Sequence, residues 1–142
     1  METDPERKKL SNVEFAIFIA LITILLVLFI RPTIQMFTKS RETAILANLG
    51  EMRSAISVYY SENQQYPLDD LSVLTTHNKY LSATPHIKSD PSHPASTRVL
   101  TETLVTDSGN WSYDNNPQSP TWGTLRIGCT HTDSKGVIWS TY

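Results

Sequence analysis

The chain has one cysteine, Cys129, among its 142 residues, so no disulfide forms within it. Small exported domains often use disulfides to compensate for a thin core. Without one, this chain depends on packing, or on neighbours in an assembly. No histidine stands at an informative spacing from Cys129, which therefore reads as a half-buried apolar residue and not as a thiol nucleophile. Charge is scarce as well: 18% of residues are charged and the net charge is −2. A nucleic-acid partner would leave a basic stripe, and there is none. Glycine-rich phosphate loops, a Ser-His-Asp order, internal repeats and low-complexity tracts are also missing. His77, His86, His93 and His131 fall in loops without the spacing of metal ligands. These absences predict no catalytic residue, no cofactor and no metal, and a protein that is not an enzyme.

What the chain does have is unevenly placed. Most strongly apolar residues lie between Val13 and Ile30, and the C-terminal half is rich in Ser, Thr, Asn and Pro. That division predicts a lipid-facing part joined to a solvated part. Residues 15–30 contain no charge and no proline. Counted from Val13, the segment matches the shortest helices that span a bilayer, roughly 17 to 25 residues. Apolar side chains would appear on every face, which excludes an amphipathic helix lying on the membrane surface. Arg7, Lys8 and Lys9 precede the span and Arg31 follows it, an arrangement that places the N-terminus in the cytoplasm. A cleaved secretory signal is the competing reading. Its apolar core would run only about 7 to 15 residues, followed by a small-x-small cleavage site. Here Arg31-Pro32-Thr33-Ile34 leads into more helix-forming sequence.

Glu14 is an ionisable group at the edge of this span. It can snorkel to the headgroups beside a helix N-terminus. It can also have a partner and a function, as intramembrane carboxylates commonly do.

The stretch Lys8-Lys9-Leu10-Ser11-Asn12-Val13-Glu14-Phe15-Ala16-Ile17-Phe18-Ile19 resembles the N-terminal signal of type IV pilins and of type II secretion major pseudopilins. That signal has a short basic leader, a cleavage point, a glutamate five residues later and a long apolar helix. Leu49-Gly50-Glu51-Met52-Arg53-Ser54-Ala55-Ile56-Ser57-Val58-Tyr59-Tyr60, followed by Gln65-Tyr66-Pro67, is similar to the family's stalk helix and tyrosine-rich turn. The likeness covers residues 7–85 well. Trp111-Ser112-Tyr113 and Cys129-Thr130-His131-Thr132-Asp133 resemble a bacterial subgroup less specifically.

The resemblance implies a structural filament subunit that polymerises through its N-terminal helix to support protein secretion. Implied partners are copies of itself, an assembly ATPase, a membrane platform protein, minor pseudopilins and the inner membrane. It also implies leader cleavage between Lys9 and Leu10 by a prepilin peptidase, followed by N-methylation. Lys9, however, stands where the family has glycine, because the peptidase needs almost no side chain there. Lysine predicts an unprocessed leader, or a divergent member. Calcium in a C-terminal loop is a further family property. Its candidates here are Asp107, Asp114 and Asp133, besides Glu102, although Asp133 reads more simply as a turn residue. Pro32 occupies a place where family members carry a proline associated with helix melting in the filament. A minor or DNA-uptake pilin, and a monomeric single-pass ligand-binding or sensor protein, remain open alternatives.

The sequence divides into a leader-like segment (1–11), a transmembrane helix (12–31), an amphipathic stalk helix (32–63) and a periplasmic or extracellular head (64–142). Ile45, Leu49, Met52, Ile56 and Tyr59 recur at spacings of three and four, one stripe of a 3.6-period helix. Pro32 lacks a backbone donor and clashes with the carbonyl of Leu28, which predicts a kink or local unwinding. Residues 68–74 suggest one helical turn, and prolines make 79–97 a loop. Strands are predicted at 97–105, 111–113, 123–129 and 136–142, the last two as a hairpin turning at Gly136. The expected fold is α+β: a long helix against a small antiparallel sheet.

Overall fold

A computed structural model describes residues 11–142, the side chains at 31, 32 and 34 aside. One helix, α1, runs Asn12–Asn63. It is followed by a single turn, α2, at Ser72–Thr75 and by three short strands: β1 Val99–Thr101, β2 Trp111–Tyr113 and β3 Leu125–Ile127. Contacts divide the chain into two units, Met1–Thr38 and Lys39–Tyr142.

In the first unit α1 opens at Ser11, whose carbonyl accepts the amide hydrogen of Phe15 at 3.0 Å. From Val13 to Ile30 the large apolar side chains are exposed, for example Phe18 at 61% and Leu28 at 65%. The helix is long and apolar enough to cross a membrane, and none of its most apolar stretch is buried inside the chain.

In the second unit the stripe expected on α1 is the one that is covered. Ile45, Leu49, Met52 and Ile56 are buried and Tyr59 packs against the same core, while Glu51, Ser54, Ser57 and Ser61 stay exposed. Their partners are Leu71, Leu74, Ile87, Trp111, Tyr113, Leu125, Ile127 and Trp139. Each large apolar side chain fully buried there contributes about 1.5–3 kcal/mol. Arg53, off the stripe, reaches over the sheet edge. Its guanidinium donates to the Leu125 carbonyl at 2.8 and 3.1 Å and to the Tyr142 main-chain oxygen at 2.6 Å. Burial, and then the nearby Arg126 charge, lower its pKa from the ordinary value. Where α1 ends, Gln64 takes φ 58° and donates its amide hydrogen to the Tyr60 carbonyl. Tyr66 then packs between Tyr60, tilted against it, and Trp122, edge to face, with ring centroids 4.5 and 5.3 Å away. Gly123 lies under that ring at φ 84°, where an added Cβ would sit 2.5 Å from the Tyr66 ring.

The sheet corrects the expectation of a purely antiparallel arrangement. Its order is β1-β2-β3. β2 and β3 are antiparallel, with Trp111 opposite Ile127 and Tyr113 opposite Leu125, but β1 and β2 are parallel, with Val99 opposite Trp111. A parallel neighbour requires the chain to return to the level at which the first strand began, and residues 102–110 make that return. The strand expected at 136–142 is also absent. Its only sheet-like remnant is an isolated bridge between Thr132 and Ile138, and Trp139–Thr141 forms a 3-10 turn. The bend at Gly136 is present, with φ 81° and its amide hydrogen donated to Asp133 at 3.1 Å.

Candidate functional sites

Glu14 closes the start of α1. The amide of Ser11 donates to Glu14 Oε2 at 2.9 Å, so Ser11-Asn12-Val13-Glu14 forms the carboxylate half of a capping box. The S-x-x-E spacing is legible in the sequence. The other oxygen, Oε1, accepts no hydrogen bond among the described residues. A carboxylate offers about four acceptor positions, so the cap leaves room for a cation. Lys9 and Leu10, the expected cleavage pair, lie outside the described residues. Pro32 falls inside α1.

Of the three aspartates considered for calcium, Asp114 and Asp133 organise turns. Asp114, buried at the end of β2, accepts from the Asn116 amide at 3.1 Å, the Thr121 hydroxyl at 2.7 Å and the Ser119 hydroxyl. Burial alone would raise its pKa, but the bonds from Ser119, Thr121 and Asn116 outweigh burial and hold it below the ordinary carboxylate range. Asp133 accepts from the Tyr142 hydroxyl and from the amides of Lys135 and Val137 at 2.8 and 2.9 Å. The bond from Tyr142 is the chief reason its pKa is also lowered. A carboxyl held low in the folded state adds stability that is fully present above its unfolded pKa, about 3.9, and is lost as pH falls through the folded value. The stabilisation these two carboxyls supply is therefore expected to stay constant from neutral pH down to roughly pH 4 and to weaken below that. Asp114→Asn and Asp133→Asn should each flatten this acid limb in urea titrations at stepped pH. An unchanged limb would show that these bonds do not couple to folding.

Asp107 belongs to a different arrangement. His93, Asp107, Cys129 and His131 bring one ligand atom each to within 4.8 Å of one another. His93 Nε2 lies 3.2 Å from Asp107 Oδ1, and His131 Nδ1 lies 3.5 Å from the same oxygen. Cys129 Sγ is 3.5 Å from His131 Nδ1. Three loops supply these groups. The return loop 102–110 carries Asp107 to the end of the sheet where β2 begins and β3 finishes, next to Cys129. Backbone bonds fix the junction: Gly109 donates to the Gly128 carbonyl at 2.7 Å and Gly128 to the Asn110 carbonyl at 2.8 Å. The Thr130 amide donates to Asp107 Oδ1 at 2.8 Å. Gly109, at φ 70°, lets His93 approach, since a Cβ there would sit 2.5 Å from the His93 Cβ. Cys129 is fully buried. Burial raises its thiol pKa from the ordinary value.

The sequence assembles none of this group, offering Asp107 only for calcium and setting His93, Cys129 and His131 aside, because the four positions are scattered over three loops. The one local signal is Cys129-x-His131, two candidate ligands two residues apart in the sequence. His77 and His86 stand apart, both exposed. Two open depressions elsewhere on the head, one lined by Arg53, Ser57, Tyr66 and Gly123 and one by Glu51, Val58, Lys79 and Tyr80, gather no comparable set.

No family model, curated protein or solved structure matches the chain.

Proposed function

We propose that the chain is the structural subunit of a pilin-like filament, anchored in the cytoplasmic membrane with its N-terminus inside and its head outside, and that the filament supports protein secretion. The observation that carries this reading is the extent of uncovered apolar surface on α1. Residues 13–30 measure about 27 Å at 1.5 Å per residue, close to the roughly 30 Å of a hydrocarbon core. Yet exposed apolar surface continues past Arg31 to Met36 and Phe37, each 72% exposed. In a lone tether these side chains would lie at the headgroup level, about 10 Å past the end of the span. Packing against copies of itself would cover them.

Moving the apolar half of α1 from lipid to a filament core gains little hydrophobic energy, because lipid tails are as apolar as leucine. Register is then set by the one ionisable group. Glu14, buried without a partner, would be costly. A cation from the adjacent subunit removes that cost and fixes the axial step. The cation is a terminal amine if the leader is removed, or Lys8 or Lys9 of a neighbour if it stays. An assembly ATPase, a membrane platform protein and minor pseudopilins complete the machine in this reading, with pilus or DNA-uptake filaments as variants of it.

Amine-reactive cross-linking in whole cells tests the proposal. A ladder of dimers, trimers and higher multimers is the expected result, and a lone monomer band supports a tethered monomeric head instead. Intact mass of the membrane-extracted chain then tells whether residues 1–9 are removed and whether a methyl group is added.

A further inference from the structure

Four side chains of the head converge on a point that the filament reading does not use. We propose that His93 Nε2, Asp107 Oδ1, Cys129 Sγ and His131 Nδ1 form a structural binding site for a divalent transition metal, zinc foremost.

The distances fit. Zinc binds sulfur at about 2.3 Å, imidazole nitrogen at about 2.0–2.1 Å and carboxylate oxygen at about 2.0–2.2 Å in a tetrahedron, which places neighbouring ligand atoms about 3.3–3.6 Å apart. The separations His93–Asp107, His131–Asp107 and Cys129–His131 are 3.2, 3.5 and 3.5 Å. The remaining pairs are within 4.8 Å, so small side-chain rotations close the set. A thiolate with two imidazoles and one carboxylate suits zinc and not calcium, which takes six to eight oxygens.

The same geometry argues against a hydrolytic Cys-His-Asp relay. In a relay the thiol and the carboxylate address opposite nitrogens of one imidazole. Here both face Nδ1 of His131. Atoms that all face one point suit a shared cation. The sulfur is also fully buried, out of reach of a substrate.

The surroundings support ligation. Thr130 donates to Asp107 Oδ1 and orients the carboxylate, as outer-shell partners of metal ligands do. Ser89 is buried, and its hydroxyl has no hydrogen-bond partner among the described residues. Gly109 and Gly128 hold the ligand-bearing loops backbone to backbone, and Gly109 leaves His93 the space it occupies. Four protein ligands close the coordination shell, which marks a structural site and not a catalytic one. The metal would fasten three loops of a head that has a single cysteine, the task a disulfide performs in other small exported domains.

The test uses the untagged full chain in detergent, stripped with a chelator and titrated with cobalt and then zinc. The expected spectrum has the intense visible bands of tetrahedral cobalt and a thiolate-to-cobalt charge-transfer band, saturating at one equivalent and erased by zinc. Asp107→Asn, at a partly exposed position, and His93→Gln should each weaken zinc by at least about tenfold. Cys129→Ser should abolish the charge-transfer band. His77→Gln with His86→Gln should change nothing. Zinc should also raise the melting temperature followed by tryptophan fluorescence, and at equal zinc this shift should be smaller in Asp107→Asn. The proposal is overturned by weak non-saturable binding, by an octahedral cobalt spectrum, or by binding that survives the Asp107→Asn/His93→Gln double variant while the fold is intact.

Discussion

Replacing Trp111 by alanine is expected to remove about 3–5 kcal/mol from the stability of the head. Trp111 is fully buried on the central strand, and its indole nitrogen donates to the Pro85 carbonyl at 2.8 Å. Truncation opens a cavity in the core and leaves that carbonyl without its partner, so the packing and hydrogen-bond penalties add. A domain of this size has about 5–15 kcal/mol in total, so most of the folding free energy is at stake. Urea titration of the membrane-extracted protein should show the midpoint fall sharply while the slope stays constant. Leu104→Ala is the control. Leu104 is 81% exposed, and its loss should move stability by no more than about 0.5 kcal/mol. A Trp111→Ala loss as small as the Leu104 control would mean that the core does not form around β2 as described.

The second large effect concerns assembly. Glu14→Gln is expected to collapse the multimer ladder to monomer while leaving the fold and membrane insertion intact. The amide keeps the capping geometry, because glutamine serves at the same position of a capping box. Only the negative charge is lost. In the filament, the cation that faced it would be left buried and unpaired, at a cost of at least about 3 kcal/mol. That corresponds to roughly a hundredfold weaker association at each contact, and a polymer multiplies the deficit along its length. If Glu14→Gln yields the parental ladder, Glu14 serves the cap alone and register comes from elsewhere.

Much of the head was legible because its periods are simple. Ile45, Leu49, Met52 and Ile56 announce one helical stripe, and that stripe is the buried one. Trp111-Ser112-Tyr113 and the alternation of Leu125 and Ile127 about Arg126 announce strands that are present. Sheet direction was not legible. Whether Val99 pairs with Trp111 in parallel depends on how residues 102–110 turn back, and no short-range pattern encodes that. The final strand failed for a local reason. Asp133 draws the amides of Lys135 and Val137 and the hydroxyl of Tyr142 onto its own carboxylate. The segment therefore curls into a turn instead of extending along β3. The His93–Asp107–Cys129–His131 group was hidden for the same reason as the parallel strand: the return loop that delivers Asp107 is a tertiary feature.

Polymerisation through α1 is tested most directly by placing a photo-activated cross-linking amino acid at Phe37, in the exposed apolar stretch beyond the bilayer core, and irradiating intact cells. The account predicts a ladder of dimer, trimer and higher species joined through α1 of neighbouring copies, and its loss when Glu14→Gln is added. Monomer alone, or adducts only to lipid or to unrelated proteins, would contradict it.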